Sequence, residues 1–265
     1  MQQTGEWANM RTRVRVISLR SALARREAFE KQAADCGISW SHFDAHTELT
    51  PDLIYDEKSL IGHHMRPLTR PERGCYSSHF AVWTEFANSD DDQLLVFEDD
   101  VQIDWTYAKR VVENDFAAAG IDYVRLASSA IPSCFNKGEY LDRYLYQFVG
   151  YALGSQAYLL TRRGARMMLA HCRRVMGPID LVIDQSWRGN VACFALFPYA
   201  IMATSPPSTI GSERYGMLTK SSEWPMTLRA QRWLFRIDDG LRRRVLKLLV
   251  AGGFGARVKA DARWV

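Results

Sequence analysis

The hydrophobic and polar positions along the chain alternate between two periods. Residues 13–19 (RVRVISL) alternate and are rich in β-branched side chains, which predicts a first strand. Ser21 is placed to cap a helix over 22–36, with Gly37 as its stop, and 38–43 (ISWSHF) reads as a second short strand. This β-α-β opening favours a parallel α/β sheet. Residues 47–70 scatter Pro, Gly, His and Asp and read as a long loop. A helix follows over 72–87, with Phe80, Trp83 and Phe86 at three-residue spacing, a stripe suited to the core. After the polar break 88–92, residues 93–97 (QLLVF) form a continuous apolar run, the pattern of a strand buried on both faces. Further strands are expected over 123–127 (YVRLA), over 150–160 with a break at Gly154, and over 192–197. Thr161 caps a helix over 162–173, 180–187 reads as helical, and 205–216 as a Pro- and Gly-containing loop. Near the end, 241–250 (LRRRVLKLLV) puts Leu241, Val245, Leu248 and Leu249 on one helical face and Arg242, Arg243 and Lys247 mostly off it.

Composition narrows the class. The 265 residues are 47% hydrophobic and 24% charged, which excludes a disordered, collagenous or disulfide-scaffold chain. The net charge of +4 is unevenly placed. Residues 229–265 hold ten Arg or Lys against three acids, so the tail carries +7 and the first 228 residues −3. The chain divides on this basis into an α/β domain, 1–228, and a basic amphipathic tail, 229–265. A mildly acidic body with a basic tail is not the pattern of a nucleic-acid domain, so no nucleic-acid partner is expected. The tail has the composition of a helix lying on an anionic membrane surface, with packing on the domain as the alternative. Cys36, Cys75, Cys134, Cys172 and Cys193 are far apart, odd in number and form no C-x-x-C pair. Structural zinc and a disulfide framework are thus disfavoured, and reduced thiols in the cytoplasm fit best. Residues 1–15 are polar, without the apolar core of a signal peptide, and no stretch reaches the roughly 18 apolar residues of a spanning helix. A cytoplasmic protein, peripheral at the inner membrane through its tail, is the resulting expectation.

The chemistry concentrates where the apolar strand stops, at Glu98, Asp99 and Asp100. Ligands of open α/β sheets bind beyond the carboxyl ends of the strands. If the extended conformation persists, Glu98 and Asp100 project to one side and Asp99 to the other. Two carboxylates without a neighbouring His or Cys suit a hard divalent cation, Mn²⁺ or Mg²⁺. The alternative is a solvated acidic turn. Asp90 to Asp92 precede the strand, at the wrong end of it, and read as a loop.

Four blocks resemble glycosyltransferase family 25, the lipooligosaccharide-type galactosyltransferases. They are VISLRSALARREAF (16–29), LTRPERGCYSSHFAVW (68–83), LLVFEDDV (94–101), and GYALGSQAYLLTRRGARMML followed by GPID, which ends at Asp180. The second is similar to the family's L-T-x-G-E-x-G-C-x-x-S-H block and the third to its hydrophobic strand with E-D-D. Ser18 stands where the family usually has Asn, and Pro71 where it usually has Gly. The resemblance spans about residues 14–211. It implies a GT-A-like, Rossmann-like fold with a D-x-D-like metal motif, and an inverting transfer of a sugar, galactose by default, from a UDP-sugar to a bacterial surface glycan or glycolipid acceptor.

On that resemblance Asp100 is the main metal ligand. Glu98 is a second ligand, direct or through water, or a ribose contact. Asp99, Ser18 and Leu19 are placed with the nucleotide. Arg25 or Arg26 meets the diphosphate, since only one of the two can point inward, and Ser78 and His79 match the family's S-H pair. Gly150 and Gly154 admit close backbone approach to the sugar or mark a strand bulge. Inversion by direct displacement needs one general base, for which Asp180 and Asp184 are the candidates; four apart, they would share a helix face. An N-cap or first-turn acid is the competing use of Asp180, as a first-turn acid is for Glu72. Cys75 reads as a small buried apolar residue. Nucleotidyl transfer is the rival enzyme class, disfavoured because Ser18 to Arg26 holds no glycine. The non-enzyme rival is an inactive member that binds nucleotide or glycan.

Overall fold

A computed structural model of the chain describes residues 10–204, 225–256 and 258. Eight strands form one sheet in the order β2-β1-β3-β8-β5-β9-β7-β6: β1 (Thr12–Ser18), β2 (Ser41–Asp44), β3 (Gln93–Glu98), β5 (Tyr123–Arg125), β6 (Cys134–Tyr140), β7 (Arg143–Phe148), β8 (Ala157–Thr161) and β9 (Cys193–Phe197). β1 pairs in parallel with β2 and β3, and β5 with β9. β8 enters antiparallel between β3 and β5, and β7 is antiparallel to both β9 and β6. Six of the eight strands therefore run one way, and the expected α/β class with a mostly parallel sheet holds. β4 (Val101–Ile103) and β10 (Ile201–Ala203) make a separate two-stranded ladder just beyond β3.

Helices cover both faces. One face packs Leu94, Val96, Tyr123, Tyr158 and Leu160 against α3 (Arg70–Ala87), α5 (Arg162–Cys172) and α6 (Ile179–Val182). The other packs Val14, Val16, Leu95, Phe97 and Leu159 against α1 (Leu23–Ala33) and α4 (Trp105–Val112). β3 alternates between these two cores, which is why its sequence is apolar without interruption. α3 starts two residues earlier than the expected 72: Thr69 caps it and Glu72 closes the reciprocal capping box. Gly74 lets the 46–47 backbone lie on this helix; a Cβ there would stand 2.4 Å from the His46 carbonyl oxygen.

Several expectations need correction. The supposed loop 47–70 contains α2 (Glu57–His64), capped by Asp56. The strand expected over 150–160 begins only at Ala157, because Leu153 (φ 61°) and Gly154 (φ 74°) take left-handed backbone that no strand accommodates. The helix expected over 180–187 is two short pieces, α6 and α7 (Ser186–Gly189). The tail helix is much longer than 241–250: α8 runs Met226–Ala251 and packs on α2 and α7. The loop expected over 205–216 lies outside the described residues, as do residues 1–9 and 259–265.

Candidate active site

The carboxyl end of β3 meets the start of β8, the end of β1 and one side of α3. Here the chain turns at Asp99–Asp100 before β4, so the extended conformation does not persist and the three acids part. The Glu98 carboxylate turns in toward α3. Ser155 Oγ donates to its Oε1 at 2.5 Å, and His79 Nε2 stands 3.4 Å from the same oxygen. Burial pushes the Glu98 carboxyl up, but His79 and Ser155 outweigh it and hold it below its ordinary range. His79 is itself 1% exposed. Its Nδ1 lies 2.7 Å from Tyr158 Oη, which also accepts from Trp83 Nε1 at 2.8 Å. His79 Nε2 thus faces Glu98 while Nδ1 is tied to the phenol. Cys75 Sγ completes this corner: with His79 and Glu98 it is the only group of three or more His, Cys, Asp or Glu whose ligand atoms converge within 4.8 Å among the described residues.

Asp99 points the other way, to α1. Its Oδ2 accepts from Ser18 Oγ at 2.6 Å and its Oδ1 from Arg25 Nη1 at 2.8 Å. Asp100 is the carboxylate left over. Its Oδ2 is 3.8 Å from Arg25, and its Oδ1 is buried without a hydrogen-bond partner among the described residues. Burial first, then the charges of Glu98 and Asp99 against the relief from Arg25, raise its pKa to about 6. A buried, unpaired carboxylate oxygen that feels two other acids is the environment a divalent cation relieves, so Asp100 fits the expected metal, and Glu98 is the acid whose charge acts on it most.

Asp180 and Asp184 part as well, because α6 ends at Val182. Asp184 is fully buried. Its Oδ1 accepts from Arg125 Nε and Nη2 (2.9 and 2.5 Å), and its Oδ2 from the backbone amides of Ala152 and Leu153 (2.7 and 2.9 Å). Burial works against the Arg125 charge, but Asp184 beside it more than restores it. This pair staples the left-handed turn 152–154 to the sheet, with Arg125 Nη1 donating to the Gly154 carbonyl at 2.7 Å. Both Asp184 oxygens are thus spent on the core. Asp180, half-buried, accepts the Gly154 amide at 3.3 Å on Oδ2, and burial raises its pKa from the ordinary carboxylate value.

The remaining expected residues divide in the same way. Arg25 faces the acids. Arg26 is committed to the Ser18 carbonyl (2.8 Å) and Asp44 (2.6 Å), so of the two arginines Arg25 is the one at the site. Leu19, half-buried, closes the end of β1, its carbonyl accepting from Ala22 N. Ser78 is corrected from a ligand contact to an internal one: fully buried, it donates to the Gly74 carbonyl and accepts from His46 N. Gly150 is buried, and a Cβ there would stand 2.9 Å from Pro132 Cβ, so its missing side chain makes room for the 132 loop. Glu72 forms a buried fork with Arg66 besides its capping role, which gives it a structural use. Ser155, Tyr158 and Arg125 were not among the expected site residues. An Arg inside the apolar run YVRLA was the one signal in the sequence, since a buried guanidinium requires a buried acid.

The profile of glycosyltransferase family 25 (LPS biosynthesis protein) matches residues 12–183, and the chain belongs to that family. It is 27% identical over 180 residues to the lipooligosaccharide biosynthesis protein lic2B of Haemophilus influenzae, covering 64% of this chain and 66% of that one. Over 101 residues it is 33% identical to procollagen galactosyltransferase 2 of Mus musculus, covering 33% of this chain and 16% of the mouse protein. The chain thus spans less than two thirds of these relatives. Among solved structures, A197 from STIV superposes with a TM-score of 0.39 at 14% identity, over 73% of this chain and 84% of that one.

Proposed function

We propose that this chain is an inverting, metal-dependent glycosyltransferase that moves a sugar, galactose by default, from a UDP-sugar to a bacterial surface glycan or lipooligosaccharide. Support comes from the family, from the roles of the bacterial and mouse relatives, and above all from one observation. Beyond the end of β3 a carboxylate with a free buried oxygen, Asp100, stands beside a guanidinium, Arg25, while Asp180 holds a lightly bonded carboxylate of raised proton affinity.

Mn²⁺ or Mg²⁺ would be held by Asp100, with Glu98 as the second acid, and when bound would offset the charge growing on the leaving diphosphate. Arg25 supplies a fixed positive charge on the same side, and Ser18 and Leu19 border the space for the nucleoside. Asp180 takes the proton of the acceptor hydroxyl as its oxygen attacks the anomeric carbon and the bond to UDP breaks. Desolvation makes Asp180 a stronger base than an exposed carboxylate. His79 and Ser155 keep Glu98 ionised and fixed in direction. No helix among the described residues is long and apolar enough to cross a membrane.

The test is a screen of UDP-galactose, UDP-glucose and their N-acetyl forms for Mn²⁺-dependent donor hydrolysis. One donor should be hydrolysed, chelator should abolish the reaction, and Asp100→Asn should lose it while staying folded. Full activity in chelator would overturn the metal, and inertness toward every nucleotide sugar would overturn the reading.

A further inference from the structure

Helix α8 docks on the body by its polar side. Trp187 Nε1 and Arg188 Nε donate to Asp239 at 2.7 and 2.9 Å, and Arg188 Nη2 to Asp238 at 2.7 Å. Arg232 donates to the His63 carbonyl at 2.9 Å, and Phe235 packs edge-on against the His63 ring. The side turned away is apolar. Met226, Trp233, Ile237, Leu241, Val245 and Leu248 recur at helical spacing and are 80%, 63%, 48%, 60%, 47% and 72% exposed. At 1.5 Å per residue the helix is about 39 Å long, and the stripe runs its whole length.

The charges beside the stripe have one sign. Arg229, Arg236, Arg244 and Lys247 are exposed along it. The helix has only two acids: Arg188 holds both Asp239, which is buried, and Asp238, which is partly exposed and also paired with Arg242 at 2.7 Å. A straight apolar stripe flanked by cations, its one partly exposed acid neutralised by two arginines, complements a flat surface that is apolar inside and anionic at its edge. A second copy of the same helix would bring like charges together.

We propose that α8 seats the protein on an anionic lipid bilayer, lying in the interface plane with the Trp233–Leu248 stripe in the headgroup and acyl boundary. Seating α8 also positions the site. Tyr151 Oη reaches Asp239 at 3.4 Å, and Tyr151 lies three residues before Gly154, whose amide bonds Asp180. A bilayer-bound helix thus holds the candidate base close to a lipid-linked acceptor; only this last consequence rests on the glycosyltransferase reading.

Co-sedimentation of the full chain with phosphatidylglycerol and with phosphatidylcholine vesicles, at low and high salt, tests the proposal. The wild type should bind the anionic vesicles at low salt and about tenfold or more weakly to neutral vesicles or at high salt. The triple variant Trp233→Glu, Leu241→Glu, Leu248→Glu changes only exposed side chains and should lose binding with its melting temperature kept. Arg236→Gln with Arg244→Gln should weaken binding roughly 25-fold, about fivefold per charge. Absence of wild-type binding at low salt, equal binding by the triple variant, or a dimer that the triple variant splits without any vesicle binding would overturn it. Vesicle binding beside a failed donor screen would remove the proposed activity and leave this surface standing.

Discussion

Asp180 and Asp184 show how much chemistry depends on where a four-residue helix ends. Breaking the fully buried Arg125–Asp184 pair leaves a guanidinium unpaired in the core, so Asp184→Asn should cost about 3–5 kcal/mol in a urea melt. Asp180→Asn should leave stability within about 1 kcal/mol, keep UDP affinity by calorimetry, and lower kcat roughly 10²- to 10⁴-fold. Because the Asp180 pKa is raised, the wild-type rate should fall on acidification at a pH above the usual carboxylate range of about 4. A near-normal kcat in Asp180→Asn would make it only an N-terminal acid of α6. Asp100 gives a prediction of opposite sign. Its folded pKa of about 6 exceeds the ordinary 3.8, so the folded state holds the proton more tightly and stability declines as pH rises from about 4 through about 6. At pH 7 without metal the ionised group costs on the order of 1–3 kcal/mol. Asp100→Asn should therefore raise the metal-free melting temperature at pH 7, by a few degrees, and leave it unchanged near pH 4, as calorimetry in chelator would show. The position of the acids was legible from the run QLLVF followed by Glu98-Asp99-Asp100. Their separation was not, because it follows from a turn at Asp99–Asp100 and from partners, Ser18, Arg25, His79 and Ser155, that are distant in sequence.

Elements with a strong local signal were readable within a few residues, and those whose signal is tertiary were missed. β1, β3, α3 and α5 carry long periodic or continuous apolar patterns, and Thr161 marks the start of α5, whereas the Thr69 cap of α3 was not read. The β6–β7 hairpin turns through Leu141 and Asp142 at φ 53° and 56° without glycine, so no turn signal marked it. β6 also buries only Tyr140 and lacks an apolar face. The Gly154 break was visible, but not that the whole of 149–156 leaves the sheet to wrap Asp184, because that depends on Arg125 two strands away. Gly74 offers a test of packing between elements. Its missing Cβ lets the 46–47 backbone touch α3, where His46 N and Thr50 N donate to Ser78 and Ser77. A methyl 2.4 Å from a backbone oxygen forces that segment away, so Gly74→Ala should destabilise by about 1–3 kcal/mol despite the better helix propensity of alanine. A urea midpoint that rises instead would show that the segment yields without loss.

At the scale of the whole molecule the question is how firmly α8 belongs to the body. Charge alone divided the chain at 228/229, yet the helix begins at Met226 and crosses that division without a break. Its attachment is polar: within α8 only Asp239 and Val250 are buried, while its apolar stripe faces out. Little apolar area therefore opposes undocking, and a helix held this way is expected to open as a unit well below the global unfolding free energy. Asp239 is the centre of the attachment, 8% exposed and bonded by Trp187, Arg188 and Tyr151. Replacing it by alanine strips three donors of their shared acceptor, at a cost of about 3 kcal/mol. If that loss falls on the docking equilibrium, amide exchange across 226–251 should accelerate about 100-fold in Asp239→Ala, with residues 150–154 following through Tyr151. Amides of β1, β3 and β8, whose protection comes from the two cores, should keep their wild-type rates. Uniform acceleration over the whole chain would instead mean that α8 is an integral part of the fold, opening only when the sheet does.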